Sequence, residues 1–267
     1  MKKAALLNMG SEYEPRLRAL IGPAVNRQTR PNSMLERPVA NGSRTIRVMI
    51  VDNQAVVRIG VAAVINAQPD MFVVAETGNG REAVRVYREH QPDVTLLDLR
   101  LPEMSGLEAM QTIRRECPQS RFIVLTNCDG DEHIHRALEA GATAYLLKAV
   151  SAGELLQAIR NVHAGLRWLS GQIVEALARR PPNCELTLRE RQIVRLIVAG
   201  MSNREIAEAL GLTPGTVKWY VNGLLERLCV IDRTQAAISA VRRGIVDLVE
   251  LEDSRWKPAT EYVHGAA

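Results

Sequence analysis

Residues 93–106 read DVTLLDLRLPEMSG, a segment that joins an apolar run to an aspartate, a loop containing proline and the start of a helical pattern. Val94–Leu97 is the apolar run, Asp98 follows it, and Gly106–Glu116 has helical spacing. An apolar run of this length before a turn is typical of a strand that is buried on both faces of a parallel sheet. We therefore predict a buried strand with Asp98 at its carboxyl end, followed by a helix.

Short apolar runs and helical patterns alternate on both sides of this segment, over residues 45–166. The predicted strands are Ile46–Val51, Met71–Glu76, Val94–Leu97, Arg121–Thr126 and Ala144–Leu147, and the predicted helices are Gln54–Ala67, Arg81–His90, Gly106–Glu116, Glu132–Ala140 and Ala152–Ala164. This alternation predicts an α/β domain with a doubly wound, parallel, five-stranded sheet that helices cover on both faces. In a sheet of order 2-1-3-4-5, ligands bind at the carboxyl ends of the strands.

Residues 185–250 show helical patterns only, which predicts an all-α domain. The predicted helices are Leu188–Ala199, Asn203–Leu210, Gly215–Leu228 and Arg233–Arg243. The connection between the second and third helices is short, because Gly211 ends one helix and Thr213-Pro214 begins the next. Two short helices joined by a tight turn indicate a helix-turn-helix, whose second helix enters the major groove of DNA. A plain helical bundle is the alternative that periodicity alone leaves open.

The remaining segments lack a clear periodicity. Residues 1–44 are rich in Arg, Pro, Asn and Ser, and we predict a disordered N-terminal extension there. Residues 167–184 contain glycine and a double proline, which predicts a linker. Residues 251–267 are predicted to be a flexible tail.

Charge and composition narrow the class of protein. The net charge is +4, with −3 over residues 46–166 and +3 over residues 185–245, which fits a regulatory domain joined to a nucleic-acid binder. No apolar run approaches the ~20 residues that a membrane helix needs, so we expect no membrane partner. The four cysteines form no C-x-x-C pair, which favours free thiols and a cytoplasmic location.

Four chemically useful side chains fall at the ends of predicted strands. Asp52 and Asp98 end strands 1 and 3, which are neighbours in the predicted order, while Thr126 and Lys148 end strands 4 and 5. Carboxylate oxygens suit Mg²⁺, and a hydroxyl and an ammonium can hold phosphoryl oxygens. Phosphoryl transfer needs mainly such positioning and charge neutralisation. The alternative is that each of the four is an ordinary solvated loop residue.

These residues lie in segments that closely resemble the receiver domains of two-component response regulators. The matching segments are VMIVD (48–52), DVTLLDLRLPEMSG (93–106), VLT (124–126) and GATAYLLK (141–148). The resemblance implies that Asp98 is the phosphoacceptor and that Asp52 and the carbonyl of Arg100 belong to a magnesium site. It further implies that Thr126 and Lys148 contact the phosphoryl group and that Tyr145 is the aromatic residue that reports phosphorylation. For Tyr145 an ordinary edge-strand aromatic remains the alternative.

One position departs from that family. Its members usually carry two adjacent acids after strand 1, whereas this chain has Asp52-Asn53. The amide of Asn53 offers a neutral oxygen to the metal, so the site loses one negative charge and we expect weaker Mg²⁺ binding.

The helical domain resembles the LuxR-type helix-turn-helix. The matching segments are LTLRE (186–190), GMSNREIA (200–207), TVK (216–218) and RTQA (233–236). Together the two halves resemble a NarL/FixJ-type response regulator, in which the last of these helices pairs two copies on DNA. The residues that we expect to face DNA lie early in the third helix, and they are Thr216, Lys218, Trp219, Tyr220 and Asn222. Position 220 is often histidine in the family and Trp219 is unusually bulky, so the base preference is open.

The function that we expect is therefore non-enzymatic. A sensor histidine kinase would phosphorylate Asp98, and a homodimer would then bind DNA and control transcription. The first alternative is an atypical receiver that a partner or small molecule regulates without phosphorylation. The second is an enzyme that uses the acidic pocket on a small phosphorylated substrate.

Overall fold

The computed structural model describes residues 45–180 and 184–248, which form two compact units. The predicted N-terminal extension (1–44) and tail (251–267) lie outside the described residues. Within the described part of the chain, no helix has the length and apolar character needed to cross a bilayer.

The first unit alternates strands and helices. Its elements are β1 (Ile46–Val51), α1 (Ala55–Asn66), β2 (Met71–Thr77), α2 (Gly80–His90), β3 (Val94–Leu97), α3 (Gly106–Glu116), β4 (Phe122–Thr126), α4 (Asp131–Glu139), β5 (Ala144–Leu147), α5 (Ala152–His163), β6 (Trp168–Leu169) and α6 (Gly171–Ala178). All strands are parallel, in the order β2-β1-β3-β4-β5-β6. The predicted doubly wound α/β class is confirmed.

Two apolar cores lie on opposite faces of the sheet. Side chains of α2, α3, α4 and α6 pack on one face, and side chains of α1 and α5 pack on the other. Every residue of β3 and β4 is buried, as their continuous apolar character predicts for strands covered on both sides. The carboxyl ends of these central strands therefore meet at one edge, under the loops that follow them.

The expected five-stranded sheet and the expected linker over 167–184 both need correction. Residues 168–169 form β6, in which the amide of Trp168 donates to the carbonyl of Thr143 at 3.1 Å. Helix α6 follows and buries Ile173 and Leu177 in the first unit's core. The strand was not predicted because two residues are too few to show an alternating pattern. The helix was not predicted because Gly171, which was interpreted as a linker residue, is the first residue of that helix.

The second unit is a helical domain around its own core. Its helices are α7 (Leu188–Val198), α8 (Asn203–Leu210), α9 (Pro214–Leu228) and α10 (Arg233–Arg242). Ser202 caps α8 in a capping box with Glu205, and Gly211 ends that helix with a left-handed φ of 64°. Thr213 then caps α9, with Pro214 in its first position. The predicted helix-turn-helix is α8 and α9, and its tight turn follows from these local signals.

Candidate functional site

The carboxyl edge of the sheet carries two buried acids. Asp52 follows β1 and is 2% exposed, and Asp98 follows β3 and is 4% exposed. Their strands are paired, with Val51 opposite Leu97, and the amide of Asp98 donates to the carbonyl of Val51 at 2.8 Å. The register of two central strands therefore brings these carboxylates into one pocket.

Lys148 connects the two acids. It follows β5, and its ammonium Nζ lies 2.7 Å from Oδ2 of Asp52 and 2.7 Å from Oδ2 of Asp98. Burial works to lower the pKa of Lys148, but its hydrogen bonds to the two acids outweigh burial and hold that pKa above its ordinary value. Lys148 is therefore charged at neutral pH and offsets part of the pocket's negative charge.

Backbone groups orient the same carboxylates. The amide of Gln54 donates to Oδ1 of Asp52 at 2.8 Å, and the amide of Arg100 lies 3.3 Å from Oδ1 of Asp98. In addition, the guanidinium of Arg58 in α1 donates to the carbonyl oxygen of Asp52 at 2.5 Å. Arg58 could not be predicted from the sequence, because a basic residue early in a helix carries no local signal of this contact.

Gly106 shapes the loop that follows Asp98. A Cβ atom at this position would lie 2.0 Å from the carbonyl oxygen of Asp98, a separation that atoms cannot adopt. The loop is further closed by a hydrogen bond from the amide of Gly106 to the carbonyl of Leu99 at 2.9 Å. Gly106 is the last residue of the segment DVTLLDLRLPEMSG (93–106), but this steric role could not be predicted from the sequence.

Thr126 and Tyr145 lie beside the pocket on neighbouring strands. Thr126 is buried at the end of β4, and its hydroxyl is 3.4 Å from the amide of Cys128. The buried Tyr145 donates its hydroxyl hydrogen to the carbonyl of Cys128 at 2.7 Å. Both side chains therefore contact the loop after β4, so a change at Thr126 can reach Tyr145 through the Cys128 backbone.

The oxygen atoms at this edge of the sheet are of the type that a hard cation binds, but Asn53 contributes no negative charge where a second adjacent acid would. The pocket offers carboxylates of Asp52 and Asp98, while the exposed Asn53 and the carbonyl of Arg100 offer neutral oxygens. Oxygen ligands are what Mg²⁺ prefers. Among the residues that the structure describes, no group of three or more His, Cys, Asp or Glu side chains is placed to hold a metal.

The beginning of α9 exposes a second set of predicted site residues. Val217 and Val221 face the core of the second unit, whereas Lys218, Trp219 and Asn222 are exposed. Residues three and four apart share a helix face. These three side chains therefore form one outward surface near the start of the helix, where base contacts are usually made.

Thr216 and Tyr220 differ from the other predicted DNA-facing residues, since both are half-buried. The hydroxyl of Thr216 is 2.9 Å from that of Thr213, within the N-terminal cap of α9. Tyr220 packs against the second unit's core and meets the ring of Trp219 edge to face. Their positions indicate that they support the exposed surface.

Comparison with known proteins assigns both units. Residues 48–160 match the response regulator receiver domain, and residues 185–240 match the luxR family of bacterial regulatory proteins. The chain is 40% identical over 210 residues to the transcriptional regulatory protein LiaR of Bacillus subtilis (strain 168), covering 76% of this chain and 100% of LiaR. It is 37% identical over 207 residues to the response regulator protein VraR of Staphylococcus aureus (strain NCTC 8325 / PS 47), covering 76% of this chain and 99% of VraR.

Among solved structures, the complex of the response regulator RcsB with DNA has a TM-score of 0.58 and 19% identity, covering 74% of this chain and 99% of RcsB. This likeness concerns the fold alone. From the two matched domains and the relatives above, the chain belongs to the two-component response regulators with a LuxR-type helix-turn-helix. It is a DNA-binding transcription factor.

Proposed function

We propose that a sensor histidine kinase phosphorylates Asp98 and that this modification controls DNA binding by α9 in the cytoplasm. The observation that carries the proposal is the buried pocket in which Lys148 bridges Asp52 and Asp98 at 2.7 Å each. A carboxylate held beside a fixed ammonium is suited to accept a phosphoryl group, because the ammonium offsets the charge that the group brings.

In the transfer step, a carboxylate oxygen of Asp98 attacks the phosphorus of the kinase's phosphohistidine. The P–O bond forms while the P–N bond breaks, and the electron pair leaves with the histidine nitrogen. Lys148, which is within hydrogen-bonding distance of Asp98, exchanges that contact for one to a phosphoryl oxygen. The hydroxyl of Thr126 turns to a second phosphoryl oxygen and releases the loop after β4, to which Tyr145 is hydrogen-bonded.

Magnesium is the cofactor that we assign to this pocket. Asp52, Asn53, Asp98 and the carbonyl of Arg100 would hold it, and the bound ion would supply positive charge to the transferring phosphoryl group. Asp52 is positioned for this role by the amide of Gln54. The neutral Asn53 makes the pocket a weak site.

DNA binding as a homodimer is supported by the outward faces of α9 and α10. Lys218 can donate to base edges in the major groove, and Asn222 can both donate to them and accept from them. Ile231, just before the N-cap of α10, and Ile238, within α10, are exposed apolar side chains. Exposed apolar side chains of this kind suit pairing of two copies, which would place two α9 helices one helical turn of DNA apart.

The test combines both units in the full-length chain. The protein is incubated with a small phosphodonor and Mg²⁺, its intact mass is measured, and its affinity is then compared for DNA probes with one and two half-sites. We expect one phosphoryl group per chain and a phosphorylation-dependent preference for the two-site probe. A chain that gains no phosphoryl group, or binds DNA equally well with and without it, contradicts the proposal.

Asn53 and the Lys148 bridge favour one other candidate, a receiver that is regulated without phosphorylation. In that case Lys148 already offsets part of the negative charge of the pocket, and the missing acid leaves the pocket unable to recruit the cation. The same mass measurement separates the two candidates, since the atypical receiver stays unmodified while still binding DNA.

Replacing Asn53 by aspartate is expected to tighten Mg²⁺ binding by about tenfold, or about 1.4 kcal/mol, because a hard anionic ligand replaces a neutral one. The rate of phosphorylation at subsaturating Mg²⁺ should rise with it. Calorimetric titration of Mg²⁺ gives the affinity, and intact mass against time gives the rate.

Gln54→Glu is the matched control, because it adds the same charge one residue further along, at the exposed start of α1. Equal gains in the two variants would mean that general electrostatics, not ligation at position 53, sets the affinity.

Helix α1 is expected to provide the docking surface for the kinase. Val56 is 83% exposed and Ile59 is 69% exposed, and they share a helix face that begins next to Asp52. Replacing both by serine should reduce phosphotransfer from a sensor kinase that phosphorylates the intact chain by at least about tenfold, because docking loses its buried apolar area. Labelling by a small phosphodonor, measured in parallel, should not change.

Leu166→Ser is the control, since Leu166 is also an exposed apolar residue of the first unit but lies away from the pocket, after α5. If the double variant loses labelling by both donors, the pocket itself is damaged and the docking role is not supported.

A further inference from the structure

We propose that Trp219 sets part of the sequence preference of this protein by packing against the 5-methyl group of a thymine, at a close approach that Gly223 permits. This inference rests on the proposed role of α9 in the major groove. Beyond that role, it names the chemical group that α9 recognises, the thymine methyl, and the position on the helix surface that makes the contact possible, Gly223.

Trp219 is presented to solvent in a supported orientation. It is 70% exposed, and its ring lies 5.0 Å from the ring of Tyr220 at an interplanar angle of 76°. Tyr220 is itself packed against the core of the second unit. Because an edge-to-face contact restrains both rings, the indole loses less conformational freedom when it meets a ligand.

Two glycines lie on the same face of α9 as this ring. Gly215 is four residues before Trp219 and Gly223 is four residues after it, one helical turn in each direction. A Cβ at Gly223 would meet nothing within 4 Å, and a Cβ at Gly215 would meet only the Thr213 hydroxyl at 3.8 Å. Neither glycine has a positive φ.

Neither packing nor backbone conformation therefore requires glycine at these positions. Gly223 is inside a helix of fifteen residues, where glycine is among the least favourable residues. The remaining physical advantage of a missing Cβ is the close approach of another molecule. On the surface of α9, the ring of Trp219 therefore lies between two positions without a side chain, Gly215 and Gly223, and we call each of these positions a gap.

Thymine is the base whose chemistry fits this surface. In the major groove thymine presents an apolar methyl group, whereas the other bases are recognised there by their hydrogen-bonding atoms. Packing an indole face over polar base atoms would remove them from water without a hydrogen bond in exchange. Packing over a methyl group has no such cost, and the gap at Gly223 lets the neighbouring nucleotide come close to the helix.

The test uses the full-length chain and begins with selection of binding sites from random duplex DNA. Each thymine of the selected site is then replaced by deoxyuridine, which removes only the methyl group, and affinity is measured by titration. We expect one position in each half-site at which deoxyuridine weakens binding about fourfold, the contribution of one methyl-sized group leaving water. Trp219→Ala and Trp219→Gln should each show no difference between thymine and deoxyuridine there.

Gly223→Ala tests the gap independently. It should weaken binding to the selected site at least tenfold without lowering the thermal unfolding temperature, because the added methyl group meets open space in the free protein. Gly60→Ala is the matched control, since Gly60 is a helical glycine of α1 whose Cβ would also meet nothing within 4 Å. That control should bind DNA like the parent chain.

The outcomes separate this inference from the proposed function. If the chain selects a site but deoxyuridine has no effect at any position, or retains its effect in both Trp219 variants, the thymine contact is wrong while DNA recognition by α9 stands. If Gly223→Ala binds normally, the gap has no role in recognition. If no sequence is selected at all, the proposed function fails and the inference fails with it.

Discussion

Replacing Asp98 by alanine is expected to abolish phosphorylation of this protein by a small phosphodonor, because the variant lacks the attacking oxygen. The fold should persist, since Lys148 keeps its ion pair with Asp52 at 2.7 Å and is not left as an unpaired buried charge. Intact mass after incubation with the donor reports the modification, and circular dichroism reports the fold.

Asp52→Asn is the matched control, as it removes one carboxylate from the same pocket and keeps the other. It should slow labelling through loss of a metal ligand, but the product should still carry one phosphoryl group. Labelling of Asp98→Ala to the parent level would place the acceptor at another residue and remove the basis for the switch.

The second large effect is expected for DNA binding when a residue of α9 is replaced. Lys218→Ala should weaken binding to a selected DNA site by about 1–3 kcal/mol and relax the preference at one base position. The reason is that a lysine in the groove donates to guanine O6 and N7, contacts that the wrong base cannot replace. Titrations against the selected site, its single-base variants and random DNA give both quantities, and a salt series gives the slope of affinity against ionic strength.

Arg115→Ala serves as the control, because it removes the same charge from an exposed position on α3, in the first unit. It should alter affinity for all sequences by a similar, small factor. If Lys218→Ala also weakens every sequence equally, then Lys218 contacts phosphates only. Unchanged binding would mean that α9 is not the recognition helix.

Much of the fold could be predicted because its signals are local. The apolar run before Asp98 defined β3, and the predicted bounds of α3 and α8 agree with the structure residue for residue. In both helices a serine cap and a glutamate three residues later mark the beginning, and such signals depend on neighbours in sequence. Placing Asp52 beside Asp98 needed only the parallel order of the strands.

The parts that could not be predicted depend on contacts between distant residues. The Lys148 ammonium bonds both acids, the Arg58 guanidinium reaches a backbone carbonyl, and Tyr145 turns inward to Cys128. Each is a choice of side-chain rotamer that the completed fold imposes. The sixth strand was missed for a related reason. Two residues are too few to show a periodic pattern, and they become a strand only because the edge of β5 offers backbone groups for pairing.

That sixth strand and the helix after it have a practical consequence for dividing the protein. A fragment cut at the end of α5, where the receiver pattern stops, would lack Trp168–Leu169 and would bare the backbone groups at the edge of β5. It would also lose Ile173 and Leu177, and the core residues that they cover would be exposed to water. Unpaired strand edges and exposed apolar patches promote self-association. The smallest autonomous receiver of this protein therefore extends to Ala178.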